Sequence, residues 1–465
     1  MVIKLCKHNQ NNVLDKIRKG QLDTISLSTT NLIDDIILEM SSYNVLDCLK
    51  QNIPDLRGKN NVIPYELIWA SAICAKMKIR TSLTDIPFAI SDHRTLAKLG
   101  YTLIDSEGSL KHGLMQEGSL RFLLNKYDYS LFINGYNDTV QKGIMPLFNI
   151  ESNIHILDCT DLEVNYYNEN YENSGIGRSK KDGKSNRGYK LATLRGIIDD
   201  IGIIEDIRFG SIDVHDLNLS EEMLRTSPML KEGDILICDR GFISRDLVNY
   251  LKTDKKVDTY IPLRKNMEAF EAAVMNAQII NNWKPHPNKK RKYQYITLIE
   301  DLGENWTSKK SKDDVPINAC VVWDKKENDY FVFVTTDITK GAKGIIITYE
   351  LRPEIEEDYR QLKDFWKIED FKSTKINVIL FHIVCVLFGY LFYQLYTLLP
   401  KGESYLGKSL PVIIKNYVPQ VQAYIILYVG FEFAILTLFE VLELYTHCNE
   451  YTKKIFKKVL EGENK

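Results

Sequence analysis

The spacing of apolar residues divides the chain into a helical beginning, a strand-rich middle and a helical end. In residues 1–145, apolar positions recur every three to four residues, for example in 31–49 and 64–79, which predicts amphipathic helices. From about residue 152, short uninterrupted apolar runs replace that period, as is typical of buried strands. After about residue 400 the helical period returns, and the apolar stretch 424–442 is predicted to be helical.

The strand-rich middle predicts a mixed α/β sheet. Its elements follow one another as three strands, a helix, a strand, a helix and a strand. Two apolar runs end in an aspartate, Asp158 and Asp239, and the active sites of such sheets collect at strand ends. The predicted strands are 153–158, 189–198, 203–209, 234–239 and 259–263, with a hairpin-like turn at 199–202 and helices at 219–230 and 244–251.

A second strand-rich segment interrupts this sheet before a charged helix resumes it. The segment begins with a predicted helix at 267–279 and continues with strands such as 317–323 and 330–335. We therefore expect five regions in the chain. They are a helical N-terminal region (1–145), a first part of the sheet core (152–265), a β-rich insertion (266–345), a second part of the core (346–400) and a helical C-terminal region (401–465).

Composition and charge restrict the classes of partner. The chain has 465 residues, 44% hydrophobic and 26% charged, as expected for a globular protein of more than one structural unit. A net charge of −2 provides no overall attraction for nucleic acid, so any such binding must use local clusters. Residues 178–190 carry six basic residues and one acid, and residues 284–292 carry five and none. Either run is also explained as a solvated loop.

Three further features bear on location. The eight cysteines are scattered without a C-x-x-C pair, which argues against a zinc or disulfide framework and suits a reducing cytosol. Residues 1–8 lack the apolar core of a signal peptide. The uncharged segment 376–399 is long enough to cross a bilayer, but such a helix can equally be buried on all sides. We favour the buried helix and expect no membrane partner.

Four side chains in the charged helix fall at helical spacing. Tyr349, Arg352, Glu356 and Lys363 are 3, 4 and 7 residues apart, so on one α-helix they share a face. One acid flanked by two cations and a phenol suits a site that holds a metal ion against a phosphodiester. The simpler interpretation of Arg352 and Glu356 is a surface ion pair.

Asp158, Asp239 and Glu356 form a candidate triad of catalytic acids and metal ligands. Carboxylates without a nearby histidine or thiol favour Mg²⁺, or Mn²⁺, over zinc. Two such ions about 3.5–4 Å apart promote in-line phosphoryl displacement. Each acid also has a simpler explanation, since Asp158 suits a turn or a cap and Asp239 suits a pair with Arg240. The order of the acids and their element types favour a joint role.

The chain resembles the DDE transposases of bacterial insertion sequences, in particular insertion-sequence family four with its Y-(2)-R-(3)-E-(6)-K signature. Residues 349–363 match that spacing at every position. Residues 158–160 are similar to the family's D-x-T, and residues 238–242 contain its D-R-G-[FY]. Basic stretches at 177–180 and 187–190 resemble its basic loop. The resemblance covers about 152–390.

The resemblance implies a ribonuclease-H-like mixed sheet interrupted by a β-rich insertion, with helical N- and C-terminal regions. It also implies cleavage through a DNA hairpin, during which a flipped base stacks on an aromatic residue of the insertion. Tyr330 or Phe331 stands near that position, and Trp323 lies on the preceding strand. The candidate DNA-binding residues are Tyr349, Arg352, Lys363, Arg240, Arg178, Arg187, Lys190 and Tyr330.

We therefore expect a metal-dependent transposase that acts on double-stranded DNA, both its own inverted-repeat ends and a target, in the bacterial cytoplasm at the nucleoid. A homodimer on paired ends is expected, with N-terminal helices reading the repeat and C-terminal helices assisting pairing. Three alternatives remain open: a DNA-binding descendant that no longer cleaves, a nuclease of the same fold, and a membrane protein.

Overall fold

The computed structural model describes residues 4–58, 63–104, 117–178, 183–198, 201–302, 306, 315–418 and 421–461. The chain forms two compact units. The first comprises Met1–Thr139 and Leu362–Lys465, and the second comprises Val140–Gln361. Residues 179–182 of the first basic run and residues 199–200 of the predicted hairpin turn lie outside the described residues.

The N-terminal part of the first unit mixes strands with short helices. The predicted helix at 31–49 is in fact two helices, because Asn44 between them adopts a left-handed conformation with φ 60°. The strands are β1 (Lys4–His8), β2 (Thr24–Thr29) and β3 (Tyr101–Ile104). The helices are α1 (Gln10–Arg18), α2 (Leu32–Ser42), α3 (Val45–Asn52), α4 (Tyr65–Met77), α5 (His93–Lys98), α6 (Glu117–Leu124) and α7 (Ser130–Asp138), with a 3₁₀ helix at Leu83–Phe88.

The second unit contains a ten-stranded mixed sheet with helices. A π-helical turn at Thr139–Ile144 leads into it. The strands are β4 (Ile154–Val164), β5 (Gly175–Arg178), β6 (Ser185–Ile198), β7 (Ile201–Ser211), β8 (Ile235–Cys238), β9 (Asp258–Pro262), β10 (Lys284–Pro285), β11 (Gln294–Ile299), β12 (Asn318–Asp324) and β13 (Asp329–Thr335). The helices are α8 (Met145–Leu147), α9 (Asp216–Thr226), α10 (Arg245–Thr253), α11 (Glu268–Ile280), α12 (Ala342–Tyr349) and α13 (Pro353–Asp364).

The strand order of this sheet is β10-β11-β12-β13-β9-β8-β4-β6-β5, with β7 also paired to β6. Strands β4, β8 and β9 are mutually parallel, and the other neighbours are antiparallel. Strand β13 pairs with β9, so the strands of the segment 266–345 extend the core sheet and do not form one of their own. The mixed α/β class predicted from the apolar runs is confirmed.

The C-terminal part of the first unit begins with a long apolar helix. This helix, α14 (Ile376–Leu398), is long and apolar enough to cross a membrane, but 89% of its most apolar window is buried inside the protein. Phe381 packs on Trp69 of α4 with ring centroids 5.1 Å apart. This burial supports the core-helix interpretation. The remaining elements are α15 (Leu410–Asn416), β14 (Ala423–Val429), β15 (Glu432–Leu436), α16 (Leu438–His447) and α17 (Glu450–Glu461).

The prediction that both terminal regions are helical is wrong in part. Strands from both ends form a five-stranded sheet in the order β2-β14-β15-β1-β3. The stretch 424–442, predicted as a helix, contains a hairpin whose two-residue turn holds Gly430 at φ 64°. The β-branched and aromatic residues before that glycine favour a strand, and the glycine permits the tight turn. Partners more than 400 residues apart cannot be recognised from local pattern.

Candidate active site

The two aspartates are brought side by side by the parallel pairing of β4 and β8. In that pairing Leu157 lies opposite Cys238, so Asp158 and Asp239 follow at the point where the pairing ends. The prediction that Asp158 ends its strand is wrong, because β4 continues to Val164 along the long strand β6. Asp239 does follow the end of β8, and its Oδ1 accepts a hydrogen bond of 2.7 Å from the backbone N–H of Arg240.

The third acid lies at the start of α13. The prediction of one continuous helix from Tyr349 to Lys363 is wrong, because α12 ends at Tyr349 and α13 begins at Pro353. Proline has no N–H to donate to an incoming helix and disfavours helical geometry in the residue before it, yet it suits a first helical position. Glu356 therefore lies in the first turn of α13, while Arg352 lies in the connection between the helices.

A single guanidinium contacts all three acids. Arg352 Nη2 lies 2.8 Å from Asp158 Oδ2 and 3.7 Å from Asp239 Oδ2. Arg352 Nη1 forms an ion pair with Glu356 Oε1. Asp158 and Asp239 are 81 residues apart in sequence, and Asp239 and Glu356 are 117 apart, yet all three meet at the Arg352 guanidinium.

The environment of the three acids disfavours the ionised form of Asp158. Burial raises the pKa of Asp158 to about 6, and the charges of Asp239 and Glu356 act in the same direction. Arg352 and a hydrogen bond from the backbone N–H of Cys159 oppose the rise. A cation at the cluster stabilises the charged form, so the site has the electrostatic character of a cation-binding site.

A chain of hydroxyl groups fixes α13 to the sheet. The hydroxyl of Tyr359 donates to the backbone carbonyl of Asp158 at 2.7 Å. Because a tyrosine hydroxyl carries one proton, Thr193 must be the donor in its 2.6 Å contact with the same Tyr359 oxygen. Thr193 lies directly opposite Asp158 in the β4–β6 register. The helix that carries the third acid is thus attached to the residue that carries the first.

A buried arginine adds a second attachment of α13. Arg195 Nε on β6 donates to Asp358 Oδ2 at 2.5 Å, and its Nη1 lies 3.0 Å from Glu354 Oε2. A Cβ atom at Gly202 would lie 2.0 Å from Arg195 Nε, so only glycine leaves room for this guanidinium. Sequence reasoning missed Arg195, although a single cation within the apolar run 191–198 was a usable signal.

The other residues of the predicted signature have separate contacts of their own. The ring of Tyr349 packs on Phe333 of β13 with centroids 4.7 Å apart. Lys363 lies two turns after Glu356 on α13, within the range of the first unit, and forms a 2.9 Å ion pair with Glu369. Arg240 follows Asp239 directly and is exposed.

The predicted basic contacts differ in their exposure. Arg178 is exposed at the end of β5, where its Nε donates to the Gly183 carbonyl at 2.9 Å. Arg187 donates to the Tyr166 carbonyl at 3.1 Å. Lys190 is buried and forms a 2.7 Å ion pair with Asp216, so little of its surface is available to DNA.

The candidate base-stacking aromatics lie on opposite faces of β13. Phe331 is 42% exposed and, with Tyr349 and Arg352, lines a cavity of about 150 Å³. Tyr330 points to the other face, because neighbouring residues of a strand alternate. There it stacks on Trp323 with centroids 6.4 Å apart. Phe331 is therefore on the side of the sheet where the Arg352 guanidinium and its acids lie, and Tyr330 is not.

The raised pKa of Asp158 predicts a pH-dependent effect of Asp158→Asn on stability. In the metal-free protein the folded state holds the Asp158 proton more tightly than the unfolded state, whose pKa is near 3.8. The stabilisation that comes from holding the Asp158 proton is therefore fully present below pH 3.8 and is lost as the pH rises through about 6. Asp158→Asn should raise the melting temperature at pH 8 in EDTA, with a smaller gain at pH 4.5. Asp254 is exposed, so Asp254→Asn provides the matched control. Equal changes of melting temperature in the two variants would contradict a raised pKa of Asp158.

The three acids suit a hard divalent cation as ligands. They present carboxylate oxygens only, which is the ligand type that Mg²⁺ prefers, and one guanidinium pairs with all three. Among the described residues, no three His, Cys, Asp or Glu side chains form a group that could hold a metal ion as they stand. In this arrangement the guanidinium of Arg352 is the cation that pairs with all three acids.

Comparison with known proteins identifies the family. A model of the transposase DDE domain matches residues 151–392, just over half of the chain, which include Asp158, Asp239 and Glu356. No curated protein matches the chain. Transposases with this domain generally use divalent metal ions in their nuclease and strand-transfer chemistry. The chain belongs to the transposase DDE domain family.

Proposed function

We propose that the protein is the transposase of an insertion sequence of the family-four type, which cleaves the inverted-repeat ends of its element and joins them to target DNA. The observation that carries this proposal is the convergence of Asp158, Asp239 and Glu356 on one guanidinium within the matched domain. The Y-(2)-R-(3)-E-(6)-K spacing of residues 349–363 supports the family-four type.

The strand order supports a ribonuclease-H-like core. Five strands run in the order β7-β6-β4-β8-β9, of which the first three are antiparallel neighbours and the last three are parallel. The acids lie on the central strand β4, after its neighbour β8 and on a helix packed against the sheet. This placement supports a two-metal phosphoryl-transfer site.

Asp158, Asp239 and Glu356 would hold Mg²⁺, or Mn²⁺ in its place. When bound, such ions activate a water or a 3′-hydroxyl and stabilise the departing oxygen. In the first step the attacking oxygen forms a bond to phosphorus while the bond to the 3′ oxygen breaks, which leaves a 3′-hydroxyl. That hydroxyl attacks a phosphorus of the opposite strand and displaces the 3′ oxygen of the flanking DNA, which closes a hairpin on the element end. Water then attacks the hairpin phosphorus and displaces the 3′ oxygen, and the freed 3′-hydroxyl attacks a target phosphorus and displaces a 3′ oxygen of the target. Each step is the same displacement with a different nucleophile, so one site is sufficient.

The first prediction tests the catalytic role of Glu356. Glu356→Gln should reduce cleavage to background while DNA-end binding is retained, because the amide keeps the shape but loses the charge. Purified protein, Mg²⁺ and the genomic DNA that flanks the gene would be incubated, and the products sized by electrophoresis. Neighbouring Glu357, which pairs with Arg360, provides the control variant Glu357→Gln.

The products also separate the alternative functions. Cleavage at an undiminished rate in Glu356→Gln would remove this residue from the metal site. Cut ends that are never joined to target DNA would indicate a nuclease, and the absence of cleavage by the wild type would indicate a DNA-binding descendant. The intact set of three acids favours an active enzyme over both.

The second prediction concerns the attachment of α13. Tyr359→Phe removes the hydroxyl that links Thr193 to the Asp158 carbonyl, at a cost of about 0.5–1.5 kcal/mol of stability. Because the link sets the position of Glu356, the Mg²⁺ concentration for half-maximal cleavage should rise several-fold while DNA binding is unchanged. Tyr250→Phe on α10 is the control. An unaltered Mg²⁺ requirement in Tyr359→Phe would limit Tyr359 to a structural role.

The second basic run supports DNA binding by the second unit. Lys289, Lys290 and Lys292 are exposed, whereas Arg291 forms a 3.0 Å ion pair with Glu350. Glu350 itself lines the cavity that contains Tyr349 and Arg352. The run is therefore anchored beside the proposed site with three lysine charges directed to solvent.

The third prediction tests this run through the salt dependence of DNA binding. Changing Lys289, Lys290 and Lys292 to glutamine should flatten the slope of log affinity against log salt by about 0.9 for each DNA phosphate that these lysines neutralise in the wild type. The control changes Lys231, Lys252 and Lys256, which are each ion-paired, to glutamine. An unchanged slope in the variant of Lys289, Lys290 and Lys292 would show that these lysines do not contact DNA phosphates.

The fourth prediction identifies the aromatic residue that receives a flipped base. We propose Phe331, because it lines the cavity with Tyr349 and Arg352. A stacked base contributes about 1–3 kcal/mol, so Phe331→Ala should slow hairpin formation by about 5- to 150-fold and leave nicking unchanged. Tyr330→Ala, on the opposite face of the same strand, is the control. A larger effect of Tyr330→Ala on hairpin formation would favour the residue indicated by sequence alone.

We further propose that two copies act on paired ends at the bacterial nucleoid, with the N-terminal region reading the repeat. The C-terminal helix α16 exposes an apolar stripe of Leu438, Phe439, Leu442 and Tyr445. An exposed stripe of this kind is typical of a surface that pairs with another protein. This supports a pairing role for the C-terminal region.

A further inference from the structure

The acids of the proposed site already have a positive partner within the chain. The guanidinium of Arg352 donates to Asp158, forms an ion pair with Glu356 and approaches Asp239 to 3.7 Å. Its side chain is only 16% exposed, so the contact is sheltered from solvent. These ion pairs therefore offset part of the repulsion among the three carboxylates.

A divalent cation and this guanidinium compete for the same oxygens. Mg²⁺ binds oxygen at about 2.0–2.1 Å with demanding geometry, and an Arg nitrogen already lies 2.8 Å from Asp158 Oδ2. Two cations held by the same carboxylate repel each other. Occupation by Arg352 therefore lowers the affinity of the cluster for the metal.

Two features indicate that Arg352 has a second acceptor elsewhere. Its Nε is buried and has no hydrogen-bond partner in the part of the chain that the structure describes. Its Nη2 also lies 3.7 Å from Asp239 Oδ2, beyond hydrogen-bond distance, so its contact with the second acid is incomplete. The Arg352 backbone is fixed by turn hydrogen bonds to the Tyr349 carbonyl and from the Ile355 N–H, so a change of acceptor is a movement of the side chain alone. A phosphate oxygen pair matches the fork of a guanidinium at least as well as separate carboxylates do.

We propose that Arg352 occupies the acid cluster until a DNA phosphate draws its guanidinium away, so that DNA binding and divalent-metal binding are coupled. The proposal rests on the proposed function, since it takes the three acids to be metal ligands. DNA selects the state in which Arg352 has left the cluster, and that state binds metal more tightly. Protein without DNA is thereby kept poor in metal, which limits cleavage outside the complex.

The test measures Mn²⁺ binding directly and does not depend on activity. Calorimetric titration of DNA-free protein with Mn²⁺ should show about tenfold tighter binding to Arg352→Gln than to the wild type, within the usual range of such couplings. Arg352→Lys, which keeps one charge but loses the fork, should be intermediate. Arg360→Gln is the matched control, since Arg360 is on the same helix and pairs with Glu357. It should bind Mn²⁺ as the wild type does.

A second measurement needs no substitution of Arg352. Wild-type protein bound to a duplex from the flanking genomic DNA should bind Mn²⁺ about tenfold more tightly than the free protein. The complex of the Glu356→Gln protein with the same duplex is the control, because it corrects for Mn²⁺ that the DNA binds by itself. Equal Mn²⁺ affinity with and without DNA, or in wild type and Arg352→Gln, would overturn the coupling while the proposed function stands. Absence of Mn²⁺ binding in every sample would overturn both, because the acids would then not be metal ligands.

Discussion

Three carboxylates that converge beside the central strand β4 repel one another, and a cation among them offsets that repulsion. Much of the second unit serves to hold these groups together. Burial alone raises the pKa of Asp158, and each further acid raises it again. A fold that tolerates this cost must supply positive charge to the same place. Arg352 supplies it in the protein itself, and a divalent ion would supply more. The family of transposases to which the chain belongs generally uses such ions.

The position of Glu356 depends on residues that carry no chemistry of their own. Pro353 separates α12 from α13, so Arg352 lies in a connection from which it reaches both sheet acids. Tyr359 and Arg195 then fasten α13 to β4 and β6 within two turns of Glu356. Because the Tyr359 bond ends on the Asp158 backbone, a shift of the helix disturbs two acids together. The attachment is therefore part of the geometry of the site.

How far the site could be predicted from sequence depended on the range of the interactions. The convergence of Asp158, Asp239 and Glu356 could be anticipated because apolar runs and a spaced signature surround them. Most core strands and helices were placed within a few residues, since buried runs are local signals, but β4 continues six residues past its predicted end. Strands β1, β2, β14 and β15 were missed, because each pairs with a partner at the other end of the chain. The choice between Phe331 and Tyr330 was also beyond sequence, since the face of a strand depends on what packs against it.

The ten-stranded sheet is continuous between the cavity lined by Phe331 and the strand that precedes Asp239, so it fixes their separation. Phe331 and Phe333 lie on β13, which is hydrogen-bonded to β9, and β9 is hydrogen-bonded to β8, whose end is followed by Asp239. One intervening strand therefore fixes the distance from the aromatic face to the second acid. A separate insertion domain would place these groups through a flexible linker. A continuous sheet holds them in register, so a base stacked on Phe331 and a phosphate at the acids would be positioned by the same backbone hydrogen bonds.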